Sequence, residues 1–343
     1  MNSNKHKLIS DELEQDIKND IFKDKLPSVR ELSKRFNVST RTITKAIKTL
    51  TGKGLTIPSG SNGILINQKK HIRPKTGNVV VFCNRNSSDL KHDVLLEELR
   101  KVIKSDSLCP LFLNTPHNEI FQDEKFWKSG WVDGYIFIYS SFDRQFAQQL
   151  KRNHIPFVVA NNVPEEYGVN SIDFDIDGSH RRLIDELGSQ GFKRICYCAI
   201  MKNPENHEAY VKKLFADARK KYSLELDYHI YPAPEGKLTS EYIHDCAKAS
   251  TEIILKQNTK VEAALTLFSP SILKHEFDMA GLKDLYIIAS ISEADFEKEK
   301  DFPCAIHSYR QLADQTYKRL KEIFKEQDIT VQQTKLQSQY HLL

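Results

Sequence analysis

In the stretch 26–50, LPSVRELSKRFNVSTRTITKAIKTL, four polar side chains recur at helical spacing: Arg41, Thr44, Lys45 and Lys48 fall at i, i+3, i+4 and i+7. On a helix these share one face, offering cations to phosphate and a guanidinium with hydroxyls to base edges. Ser39 and Thr40 stand just before them, at an expected helix N-terminus where free backbone donors favour phosphate. The charge pattern points the same way. Residues 1–76 hold 16 Lys or Arg against 7 Asp or Glu, a net +9, whereas the remainder holds 34 against 39, a net −5. No acidic residue occurs between Leu32 and Ser88. A basic, acid-free stretch of this kind is the footprint of a polyanion-binding surface.

A small helical unit must position these residues. An apolar stripe at Leu8, Ile9, Leu13, Ile17 and Ile21 predicts a first helix from about Lys7 to Asn19. Pro27 interrupts the pattern, since it lacks an N–H donor and pushes Leu26 out of helix. Ser28 with Glu31 three residues on is a capping box, opening a helix to about Phe36. Ser39 then caps a helix whose Ile43, Ala46, Ile47 and Leu50 form a buried face opposite the basic one. Two short β-prone pieces, LTIP and ILI, joined by SGSNG, predict a hairpin with a Gly-rich tip.

The stretch 67–76, NQKKHIRPKT, is polar, basic and broken by Pro74, and separates this unit from the rest. Boundaries are set at 1–70 for the first domain, 71–77 for a linker and 78–343 for the remainder. Beyond it the apolar runs VVVF, LFL, GYIFIY, IPFVVA, RICYCAI, AALTLF and YIIASI alternate with amphipathic segments. That alternation predicts parallel sheets with helices on both faces. A span from 78 to 343 exceeds one ordinary core, so two similar lobes are expected, with crossings near 162 and 293. The fold class is therefore α/β.

Composition narrows the function. With 40% hydrophobic and 28% charged residues, the 343-residue chain reads as folded and globular. No apolar run approaches a membrane span, and the N-terminus lacks the apolar core of a signal peptide, so a cytoplasmic protein is expected. The six cysteines are scattered, which fits a reduced compartment. Cys196 and Cys198, with His207 nearby, could be taken for metal ligands, but they share one face of an expected buried strand and are read as core packing. No metal site and no cofactor are expected. The chain has no G-x-G-x-x-G, G-x-x-x-x-G-K-[ST], G-x-S-x-G or H-x-x-x-H, so phosphate-loop, hydrolase and zinc-helix chemistries have no foothold and an enzyme is not expected.

LPSVRELSKRFNVSTRTITKAIKTLTGKGL followed by GSNGILI resembles the winged helix-turn-helix of the GntR family of bacterial transcription regulators, over residues 7–66. The resemblance implies that double-stranded operator DNA is the partner, that Arg30, Ser39 and Thr42 touch it, and that Gly63 at the wing tip enters the minor groove. One departure is specific: Thr40 follows Ser39 where the family commonly has Arg, and Arg41 comes one place later.

VVVFCN, VDGYIFIY, IPFVVANN and SIDFDIDGSHRRLIDELGSQGFKRI are similar to the LacI and periplasmic-sugar-binding superfamily. A GntR head on such a sensor resembles the arabinose-responsive repressors. This implies a two-lobed periplasmic-binding-protein-like domain and a homodimer that leaves its operator when a monosaccharide or sugar phosphate closes the cleft. In open parallel sheets ligands bind beyond the carboxyl ends of the strands, which nominates Asn84 and Arg85, Tyr139 and Ser140, Asn161, Asp175, Phe268 and Ser290. Each of these reads equally well as a loop residue or a helix cap; DFDIDG, with Asp173, Asp175 and Asp177, is also a turn with a cap. Sugar-binding members usually carry Arg at the place of Asn206 and Asn-Asp at the place of Ser269 and Pro270, and an expected Asp after IIASIS is not evident. The alternatives are an uncommon effector or a domain that only dimerises.

Overall fold

A computed structural model describes residues 5–18, 21–22, 24–53, 55–60, 63–67, 76–83, 93–114, 130–138, 144–152, 155–161, 167–234, 238–257, 260–326 and 331–342. The head comprises α1 (Lys5–Lys18), α2 (Val29–Arg35) and α3 (Thr40–Gly52), followed by β1 (Thr56–Pro58) and β2 (Ile64–Ile66). Its core gathers Ile9, Leu13 and Ile17 of α1, Leu32 of α2 and Ile43, Ala46, Ile47 and Leu50 of α3. Two members of the expected α1 stripe are instead exposed, Leu8 at 67% and Ile21 at 58%. Leu8 points away because a helix in a three-helix head buries a narrow stripe, and Ile21 lies beyond the helix end. The capping box forms as its sequence predicts: the Ser28 N–H donates to Glu31 Oε2 at 2.7 Å and the Glu31 N–H to Ser28 Oγ at 3.3 Å.

Residues 78 to 342 build two sheets. The first is formed by β3 (Asn78–Cys83), β4 (Cys109–Leu113), β5 (Gly134–Ile138), β6 (Phe157–Ala160), β7 (Ser171–Phe174) and β13 (Gln333–Leu336), in the order β13-β7-β6-β5-β3-β4 and parallel throughout. Alternation along β3 sends Val79, Val81 and Cys83 to one face and Val80 and Phe82 to the other. The first face is covered by α4 (Val94–Ser105) and α11 (Tyr309–Glu326), the second by α5 (Arg144–Arg152).

The second sheet holds β8 (Arg194–Met201), β9 (Glu225–Pro232), β10 (Ala263–Thr266), β11 (Tyr286–Ser292), β12 (Cys304–His307) and β14 (Gln339–His341), in the order β14-β12-β11-β10-β8-β9. Only β14 runs antiparallel to its neighbour among these. On one face lie α6 (Ile176–Ser189) and α7 (Pro204–Tyr222), and on the other α8 (Ser240–Lys256) and α9 (Pro270–Met279). The short α10 (Glu293–Glu299) links β11 to β12.

The crossings between lobes differ from the expected 162 and 293. β7 pairs in parallel with β6 and still belongs to the first sheet, and β12 pairs with β11 in the second, so the chain changes lobe after Phe174, after His307 and between Leu336 and Gln339. SIDF and CAIH are strands of four residues, and their sequences do not reveal which of the two sheets each joins. The expected linker at 71–77 falls largely outside the described residues. Thr76 and Gly77 at its end donate backbone N–H groups to the carboxylate of Asp133, which anchors the start of β3.

Candidate functional site

The basic face of α3 is presented because the opposite face is spent on the head core. Ser39 caps the helix by accepting from the Thr42 N–H at 3.3 Å. Thr40, Arg41, Thr44, Lys45 and Lys48 are all exposed. The Thr44 hydroxyl donates to the Thr40 carbonyl at 2.9 Å, so toward a base edge it can only accept. Thr42 is half-buried, its hydroxyl 2.9 Å from that of Ser39, which makes it part of the cap.

Electrostatic accounting separates two kinds of cation in the head. Arg35 lies 2.6 Å from the Asp16 carboxylate, with its guanidinium over the rings of Phe22 and Phe36. Lys53 reaches Glu14 at 2.7 Å and Asp11 at 3.3 Å. These two are neutralised by α1. Arg30, Arg41, Lys45 and Lys48 are exposed and form no ion pair among the described residues. Lys5, Lys7, Lys25 and Lys34 are likewise exposed without an ion pair among the described residues, but α3 gathers three such cations on one face, with Arg30 at the start of α2.

The wing is a β1–β2 hairpin in the register Thr56↔Ile66, Ile57↔Leu65 and Pro58↔Ile64. The Ser59 N–H donates to the Gly63 carbonyl at 2.8 Å, and Gly63 adopts φ 85, a left-handed conformation that glycine takes without strain. A Cβ on Gly63 would touch nothing within 4 Å, so glycine is needed there for backbone conformation and not for space.

In the two-lobed region the chain leaves the carboxyl ends of β7 and β12 to change lobes, which turns those ends of the two sheets toward each other across the crossings. In the second sheet the strand order reverses between β8 and β10, the switch point at which open sheets bind ligands. The loops there lead into α7, with Asn206 exposed in its first turn, and into α9, capped by Ser269.

Buried polar groups knit the crossings together. Ser290 Oγ is 2.8 Å from His307 Nε2, His307 Nδ1 is 2.9 Å from Ser338 Oγ, and Ser338 Oγ is 2.6 Å from Ser179 Oγ. Ser179 in turn donates to the Asp175 carbonyl at 2.7 Å. The Asp175 carboxylate accepts from the Gly178 N–H at 3.0 Å and from Gln337 Nε2 at 2.9 Å. Burial pushes the His307 imidazole down to about 4. His180 is pushed down to about 3, chiefly by burial and then by the neighbouring His307 and His207. Both rings are therefore neutral at ordinary pH, able to donate through one nitrogen and accept through the other.

Several residues expected in the cleft have other duties. Phe268 is 5% exposed and belongs to the core beneath α8 and α9, so it is no aromatic plate for a ligand. Ser290 is committed to His307, and Asp175 is a helix cap that also bonds the last crossing. The N-terminus of α9 is already occupied by the buried Glu299 carboxylate, which accepts from Ser269 Oγ at 2.5 Å and from the Ser271 N–H at 3.1 Å. Asn161, half-buried with φ 62 at the end of β6, and the exposed Asn206 remain open to a ligand. Asn84, Arg85, Tyr139 and Ser140 lie outside the described residues. Sequence reasoning missed His307, Ser338, Ser179 and Glu299, which are far apart in the chain and follow no motif spacing.

A helix-turn-helix head with a basic recognition face, joined to a two-lobed α/β region, defines a class, the DNA-binding transcriptional regulators. Residues 6–66 match the family model described as bacterial regulatory proteins, gntR family, and form a GntR-family helix-turn-helix domain. A search of curated proteins returned no match. Among solved structures, the probable maltose operon transcriptional repressor malR from Staphylococcus aureus superposes with a TM-score of 0.59 at 14% identity, covering 79% of this chain and 98% of that one. The complex of transcriptional regulator CelR with cellobiose gives 0.56 at 15% identity, over 88% and 90%. A LacI family transcriptional regulator from Enterococcus faecium with bound ribose gives 0.58 at 15%, over 77% and 96%. The two-lobed region has the LacI-type regulator fold.

Proposed function

We propose that this chain is a cytoplasmic repressor of carbohydrate-utilisation genes that binds a pseudo-palindromic operator as a homodimer. A monosaccharide or sugar phosphate in the cleft between the lobes releases it. The observation that carries the DNA half is the exposed face of α3, where Arg41, Lys45 and Lys48 stand together without an ion pair among the described residues, with Arg30 at the start of α2. Support for the effector half comes from the hinge-like convergence of three crossings and from neighbours described with cellobiose, ribose and a maltose operon. Membrane partners find no support: among the described residues no helix is long and apolar enough to cross a bilayer. The domain limits 1–70, 71–77 and 78–343 belong to the same reading.

A second reading, in which the two-lobed region only dimerises, is favoured by the internal commitment of Ser290, Phe268 and the α9 N-terminus. One experiment separates the two. Operator is selected from a random duplex pool, and its affinity for the full chain is measured with a panel of monosaccharides and their phosphates. A compound that both raises the melting temperature and weakens operator binding establishes the sensor. Unchanged values across the panel sink it and leave the dimerisation reading.

A further inference from the structure

On β8, Cys196 and Cys198 point to the same face of the second sheet and are fully buried under α8. The adjacent strand β9 lies at the sheet edge, and its register sets Asp227 beside Cys196 and His229 beside Cys198. Four side chains of metal-ligand type thus form two neighbouring rows on one face. The sulfurs of Cys196 and Cys198 are 3.3 Å apart, and Cys196 Sγ is 3.4 Å from His229 Nδ1. Ligand atoms of these three residues all lie within 4.8 Å of one another. His207, the neighbour in sequence, is elsewhere: it bonds the hydroxyl of Tyr197, on the opposite face of the strand, at 2.8 Å.

Apolar packing accounts for two buried thiols but not for the imidazole among them. His229 is only 6% exposed, and it sets Nδ1 against the Cys196 thiol. A buried imidazole set among two thiols calls for a reason. A disulfide is a poor one, because residues i and i+2 of a strand sit about 6.6 Å apart, at the upper edge of what a disulfide spans. Tetrahedral zinc suits the spacing better. Bonds of about 2.3 Å to sulfur and about 2.1 Å to nitrogen separate two sulfurs by about 3.8 Å and sulfur from nitrogen by about 3.6 Å, within a small rotamer change of what is seen.

We infer that Cys196, Cys198 and His229 form a three-residue binding site for a thiophilic d10 cation of the zinc type, with the half-buried Asp227 beside it in the register of β9. Two thiolates and an imidazole select such a cation over magnesium or calcium, which prefer oxygen. Bound there, it ties the edge strand β9 to β8. Neither the DNA face nor the cleft uses these residues.

The test uses the tag-free full-length chain, stripped with a chelator and titrated with Zn(II) in competition with a chromogenic chelator, and separately with Co(II). The expected result is one equivalent per chain, a thiolate-to-cobalt charge-transfer band in the near ultraviolet, and a higher melting temperature with zinc. The double variant C196S/C198S should lose the band and bind at least tenfold more weakly, while C83S, a buried cysteine of the other lobe, keeps both. H229Q should weaken binding without abolishing the band, and it serves if the double variant misfolds. Absence of the band in the parent chain overturns the site, as does zinc affinity that C196S/C198S leaves unchanged.

Discussion

The hydroxyl of Ser179 lies 2.6 Å from that of Ser338, although 159 residues separate them, and it joins the first crossing between the lobes to the last. Through Ser338 the link runs to His307 at the second crossing, so one buried chain of hydrogen bonds touches all three.

Ser338→Ala removes the hydroxyl that serves both His307 and Ser179, leaving two buried polar groups short of a partner. A loss of about 1–3 kcal/mol is expected, readable as a lower urea midpoint with unchanged slope. A variant as stable as the parent would show that the contact is incidental.

Acid should loosen the second lobe before the first. His307 and His180 are held neutral by burial, at about 4 and about 3, whereas an unfolded histidine titrates near 6.5. Below about 6.5 the unfolded chain takes up protons that the folded chain refuses, so this stability is complete above 6.5 and drains away as pH falls toward 4 and then 3. Melting temperatures measured from pH 7 to pH 4.5 should fall, and His307→Gln should flatten the fall; an equal slope in both proteins refutes the assignment.

Arg41→Ala and Lys45→Ala should each weaken operator binding and reduce the salt slope by about 0.9 per lost phosphate contact. Arg35→Ala should instead lower head stability, because Arg35 bonds Asp16, and should leave the salt slope unchanged. Fluorescence anisotropy over a salt series checks both; a slope change in Arg35→Ala would place that cation on DNA as well.

Gly178→Ala should destabilise by about 1 kcal/mol or more. A Cβ at this position would come 2.2 Å from Asp175 Oδ2 and 2.7 Å from its Cγ, displacing the carboxylate that caps α6 and bonds Gln337. Thermal denaturation tests it. Gly191→Ala probes a different cost, since Gly191 has open space around it but φ 92.

Leu13→Ala should cost about 2–5 kcal/mol in the head, where Leu13 is fully buried among α1, α2 and α3. Operator binding should then fail at a lower temperature while the two-lobed region melts as before, which calorimetry of the full chain resolves.

Local rules sufficed for the head. A capping box, a Pro break and a helix with two opposed faces are set by neighbours within four residues, so Ser28, Glu31, Ser39, Ile43 and Leu50 could be placed from spacing alone, and the exposed cations followed from their opposition to the buried stripe. The alternation of apolar runs likewise carried the parallel α/β class, because strands buried on both faces need continuous apolar sequence.

Pairing between distant segments lay beyond such rules. CAIH and the last two strands are too short to declare themselves, and although SIDF reads as a strand before a helix, only the partners in the sheets decide that the chain changes lobes after Phe174, after His307 and after Leu336. The same holds for the groups nominated for the cleft. Phe268 and Ser290 have suitable chemistry, yet the bend after β10 folds Phe268 into the core and the pairing of β11 with β12 hands Ser290 to His307. Spacing along the chain identifies what a residue can do, but what it meets depends on register across a sheet. That is why Cys196 and Cys198 find His229 rather than His207 beside them.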